Sequence, residues 1–103
     1  MQLPERIREF IERRAAGISA SALERATAAL SDHYRGAEAT ATAPLAPEVK
    51  LAAYLATRMP ATFAAASAVL AEVRRRLGGI RVSSLLDLGA GTGAATLAAR
   101  EIF

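Results

Sequence analysis

Cysteine is absent from the sequence, so these residues hold neither a disulfide framework nor a thiolate metal site, and a reducing cytosol suits them. Aromatic residues are few, three Phe and two Tyr, and alanine supplies much of the 52% hydrophobic share. A core built from such residues is thin, closely spaced and mostly helical. No stretch is apolar enough to span a membrane. The opening MQLPERIREFIERR alternates acids with bases. It lacks the unbroken apolar run of a secretory signal, and it is too rich in acids for a mitochondrial presequence. These absences predict a soluble cytoplasmic chain with no metal site.

Lysine is nearly absent too. Of 13 basic residues only Lys50 is not arginine, and the formal net charge is +3, with a pI near 10.2. Arginine is the cation suited to bidentate phosphate contacts, which points towards RNA; the same charge also fits a solvated surface of Arg-biased composition. The length, 103 residues, allows one small domain that buries roughly two thirds of the surface its unfolded form exposes.

Helical spacing dominates the chain. Pro4 stands at a helix start, and Ile7, Phe10 and Ile11 then share a face, predicting a short amphipathic helix over residues 4–14 that Gly17 ends. Ser21 with Glu24 fits a capping box for a second helix over about 20–34, with Leu23, Ala26, Thr27 and Leu30 at helical spacing. Residues 36–47, GAEATATAPLAP, have no period and read as a linker. From Pro47 onward Val49, Ala52, Ala53 and Leu55 make a stripe that reaches Pro60, which either kinks the helix or starts a new one. Over residues 60–77 the face is Phe63, Ala66, Leu70, Val73 and Leu77. Arg74, Arg75 and Arg76 follow the helix dipole at its end, and Gly78 and Gly79 stop it.

The pattern then changes. IRVSSLLDLG is a short apolar run without helical period, as expected of a buried strand near residues 83–88. Helical character resumes over 92–102, so the order is strand, glycine-rich turn, helix. Such a turn presents unpaired backbone N–H groups and the positive end of the helix dipole, where anionic groups bind. Gly89 allows the exit from the strand, Gly91 clears room for a ligand, and Gly93 lets the helix pack close to the strand.

The spacing Gly89, Gly91, Ala94 also satisfies a dinucleotide fingerprint, so the glycines alone do not choose a ligand. Asp87 does. A carboxylate at the end of the strand repels a pyrophosphate and attracts an ammonium. S-adenosylmethionine (SAM) carries both an ammonium, for Asp87, and a carboxylate, for the turn. The candidate cofactor-binding residues are therefore Asp87, Gly89, Ala90, Gly91, Thr92 and Gly93. The plain alternative is a corner in which Asp87 caps local N–H groups.

LLDLGAGTG, residues 85–93, resembles the first motif of class I SAM-dependent methyltransferases, an acid between apolar residues followed by G-x-G-x-G. Upstream, AAYLATRMPATFAAASAVLAEV (52–73) and LSDHYRG (30–36) are similar to the small ribosomal subunit methyltransferase-like family, whose bacterial members are related to a mitochondrial ribosome-assembly protein. A Tyr…Arg-x-Pro-Ala-Thr-aromatic segment, here Tyr54, Arg58, Pro60 to Thr62 and Phe63, precedes the glycine motif in that family. The resemblance implies a Rossmann-like α/β methyltransferase domain, SAM as cofactor and small-subunit rRNA as partner. The later strands, the ribose-binding acid expected about 20 positions after the turn and the family's cysteine cluster are not in these residues. The chain is accordingly expected to be a fragment: 1–46 a helical segment and linker, 47–103 the opening of the methyltransferase domain.

On this reading the fragment is mostly α, with its single strand isolated or too short to be assigned, because a strand needs partners. Tyr54, Arg58 and Thr62 are candidates for contact with cofactor or RNA, the alternative being that Tyr54 packs and Arg58 is solvated. Arg74, Arg75, Arg76 and Arg81 are candidates for rRNA phosphates. His33, beside Tyr34 at a helix end, reads as a cap or surface group and not as a general base. Methyl transfer from a sulfonium runs mainly on positioning, so no catalytic residue is named. Other readings are a SAM-binding assembly factor without transfer, a nicotinamide-dependent oxidoreductase, and a helical interaction module.

Overall fold

A computed structural model describes residues 2–36 and 45–103. It contains four helices, α1 Glu5–Ala15, α2 Ala20–Tyr34, α3 Pro47–Leu77 and α4 Ala94–Ile102, and no strand among the described residues. The mostly helical expectation therefore holds. Most of the expected linker over 36–47 lies outside the described residues. The chain divides into two compact units, Pro4–Arg58 and Met59–Phe103, the latter with the first residues up to Leu3.

Within the first unit, α1 starts because Pro4 is extended (φ −53°, ψ 143°) and its carbonyl accepts from the N–H groups of Ile7 and Arg8 at 2.9 and 3.1 Å. Glu5 lies in the first turn and Arg13 and Arg14 in the last, the order the helix dipole favours. Ile11 is buried, but Phe10 is exposed, with the Arg14 guanidinium 5.2 Å from its ring centre. The cap of α2 is Ser19, not Ser21: the Ser19 Oγ accepts from the Ala22 N–H at 3.2 Å. Ser21 falls inside the first turn, so the capping-box reading with Glu24 is corrected. Ala26 of α2 and Ala52, Ala53 and Leu55 of α3 are buried, so alanine carries this core as the composition demands.

α3 runs unbroken through Pro60. That proline has no N–H for the Ala56 carbonyl, and a proline in a helix interior costs about 3 kcal/mol. The flanking Met59 and Phe63 are both buried, Phe63 fully. Burying such side chains stabilises by about 1.5–3 kcal/mol each, which offsets the loss. In the second unit Phe63, Met59, Ala94, Ala98, Ala99 and Ile102 form the core together with Ser67, whose Oγ is buried and finds no partner among the described residues. Val73 and Leu77 continue the face of Phe63 but are exposed.

Gly78 and Gly79 end α3 with φ of 24° and 70°. Beyond them the expected buried strand is neither paired nor buried. Residues 80–87 have no regular structure, and Leu86 and Leu88 are 81% and 84% exposed. A lone apolar run has no ladder to satisfy its N–H and C=O groups, so it stays with water.

Candidate functional site

Everything in the glycine turn lies within the second unit. Gly89, Gly91 and Gly93 have φ of 68°, 57° and 79°, left-handed backbone that other L residues rarely adopt. This corrects the close-packing role expected of Gly93. A Cβ there would meet no atom within 4 Å, and its backbone is what requires glycine. Gly93 is the N-cap of α4 and has no side chain to cap it.

The turn is closed by the Gly93 N–H donating to the Ala90 carbonyl at 2.9 Å, and the helix begins with the Leu97 N–H on the Gly93 carbonyl, also 2.9 Å. The N–H groups of Ala94, Ala95 and Thr96 consequently have no partner among the described residues. They are the orphan donors of a helix N-terminus, where the dipole is positive.

Asp87 is half-buried and accepts a hydrogen bond from the Thr96 hydroxyl on its Oδ2, at 2.7 Å. Helical side chains lean towards the N-terminus, and Thr96, in the first turn of α4, leans back towards the motif's acid. One carboxylate oxygen is thereby fixed, which leaves Oδ1 as the remaining acceptor for a cation. Thr96 also lines a groove of about 300 Å³ with Val82, Leu85, Ala99 and Phe103. Sequence reasoning missed Thr96. The signal was its place three residues past the last glycine, where a hydroxyl can reach back over the turn.

The other candidate residues are dispersed. Tyr54 and Arg58 belong to the first unit, and Thr62 is exposed on α3 in the second. Arg58 is not simply solvated: its guanidinium carbon lies 4.2 Å from the centre of the Tyr34 ring. Arg74 donates to the Ile102 carbonyl, tying α3 to the end of α4. Arg75 donates to Glu72 at 2.9 and 2.7 Å, and Arg76 does so at 2.6 Å. Arg75 first and Arg76 second hold the Glu72 carboxyl below its ordinary range, and Glu72 in turn raises Arg75. Arg81 makes no ion pair among the described residues. Glu72 was legible at i,i+3 and i,i+4 spacing but was passed over.

Among the described residues no cluster of His, Cys, Asp and Glu is able to hold a metal, and no helix is long and apolar enough to cross a membrane.

Residues 48–103, which include nearly all of α3 and the whole glycine turn, match the family described as mitochondrial small ribosomal subunit Rsm22. That is more than half of the chain, and the chain belongs to this family of small-ribosomal-subunit proteins. No curated protein and no solved structure gives a match.

Proposed function

We propose that this small-ribosomal-subunit protein is a SAM-dependent methyltransferase-like factor that acts on rRNA, and that residues 87–96 take the methionine end of SAM. The observation that carries this reading is the pairing of a held carboxylate with uncapped helix N–H groups: Asp87 fixed by Thr96 at 2.7 Å, and the free donors of Ala94 to Thr96. A zwitterionic amino acid needs this combination, an acceptor for its ammonium and donors for its carboxylate. The sign of the interaction favours SAM over a dinucleotide. Asp87 attracts an ammonium and repels a pyrophosphate, with a magnitude of about 1 kcal/mol or less at a solvent-screened carboxylate.

Asp87, Gly89, Ala90, Gly91, Thr92 and Gly93 would hold the cofactor, with Thr96 orienting the acid. SAM supplies an activated methyl group, and these residues contribute binding and orientation, which suffices for an in-line displacement. Incubating the protein with methyl-labelled SAM and small-subunit rRNA tests the proposal. Label in the rRNA, diminished by Asp87→Ala, supports methyl transfer. SAM binding without incorporation assigns the protein to the assembly factors that bind SAM but transfer nothing, and preference for NAD over SAM overturns the cofactor.

A further inference from the structure

We infer that Tyr34 and Arg58 form a stacking platform for an unpaired RNA base, a contact separate from the glycine turn. Tyr34 ends α2 and is 55% exposed although a guanidinium lies 4.2 Å from its ring centre. A guanidinium covers one face of a phenol ring. The exposure therefore belongs largely to the other face and the edge. The His33 ring stands 5.9 Å from Tyr34 at 71° to it, so it is not stacked flat on that ring. What remains is a flat aromatic surface backed by positive charge.

Among the described residues that charge has no ion-pair partner. The ion pairs among the described residues are those of Glu72 with Arg75 and Arg76, so among these residues neither Arg58 nor the exposed Arg35 next to Tyr34 pairs with a carboxylate. A planar π-surface with guanidinium groups beside it suits a nucleobase and its phosphate together. In a duplex the base faces are hidden, so the platform selects single strands, loops or bulges. All these residues lie in the unit Pro4–Arg58, and the contact needs nothing from Asp87 or the glycines. It rests on the proposed rRNA partner but not on methyl transfer.

Fluorescence anisotropy with a labelled uridine octamer and an RNA duplex of matched length tests it, using the whole chain. The octamer is expected to bind more tightly than the duplex. Tyr34→Ala is expected to weaken octamer binding by about five- to a hundredfold, the range for losing one stacked base, while Tyr34→Phe keeps it. Equal binding of octamer and duplex, no octamer binding, or an unchanged Tyr34→Ala variant would overturn the platform. Circular dichroism on each variant reports helix content. SAM-induced shifts at the amides of residues 89–96, followed in the same variants, keep the two proposals apart. Loss of octamer binding in Tyr34→Ala with those shifts retained supports the platform. Octamer binding that depends on Tyr34 while SAM causes no shifts also supports it and sinks only the cofactor reading.

Discussion

Thr96 and Asp87, nine residues apart, are joined by a hydroxyl-to-carboxylate hydrogen bond of 2.7 Å that ties the first turn of α4 to the chain before the glycines. Neither residue is buried, so the bond exchanges against water, and its net contribution falls near the usual 0.5–1.5 kcal/mol, about the value for neutral pairs. Its larger consequence is positional, because it fixes where the acid stands. Thr96→Val keeps the branched shape and removes the donor. Chemical denaturation is expected to show a loss of about 1 kcal/mol or less, with faster amide exchange at 87–93; Thr96→Ser should restore both. Unchanged exchange in the valine variant contradicts the tether.

Glycine has different uses in two turns of this chain. At Gly93, φ 79°, an alanine enters left-handed backbone with no neighbour to blame, and the expected loss is about 1–2 kcal/mol. At exposed Gly17 the backbone φ is not positive and a Cβ meets nothing within 4 Å. There alanine should stabilise by about 0.4–1 kcal/mol, by restricting the unfolded chain. Thermal unfolding of the two variants checks the opposite signs.

Phe63 and Leu86 are both large and apolar, yet one is fully buried and the other 81% exposed. Phe63→Ala is expected to cost about 3–5 kcal/mol, whereas Leu86→Ala should stay within about 0.5 kcal/mol. A large loss at Leu86 would mean that the 80–88 run is packed in solution.

The helices were legible because their information is local. The bounds expected for α2, about 20–34, are those observed, and α1 is displaced by one residue. Pro60 left two readings open because a helix crosses a proline only when burial nearby compensates, and the burial of Met59 and Phe63 depends on the fold. The 83–88 run shows a related limit: its composition suits a strand, but pairing decides whether one forms. The expectation that it would stay isolated or unassigned here agrees with the lack of any strand among the described residues, whereas its expected burial does not hold. Within the site the glycines and Asp87 could be read from order alone. Thr96 could not, since its contact depends on where α4 starts, and neither could the meeting of Arg58 with Tyr34 across two helices.

The Glu72 carboxyl is held below its ordinary range by Arg75 and then Arg76. A carboxyl depressed in the folded state contributes stability that is present above its unfolded value, about 4.3, and is lost as pH falls through the lower folded value. In a carbon-detected NMR titration the Glu72 midpoint should fall below that of a glutamate in an unstructured peptide. It should move back towards it in high salt, because the pair is exposed and screened. A midpoint at or above the peptide value is inconsistent with the Arg75 and Arg76 contacts.

The central claim is that the turn of residues 87–96 takes the methionine end of SAM, and amide NMR during a SAM titration of the 103-residue chain tests it most directly. The contacts available are a few exposed polar ones at about 0.5–1.5 kcal/mol each, so saturation is expected in the millimolar range, about −4 kcal/mol. The shifts should be confined to the amides of 89–96 and abolished by Asp87→Ala. Amides that stay still throughout, or that respond to NAD at lower concentration than to SAM, would contradict it.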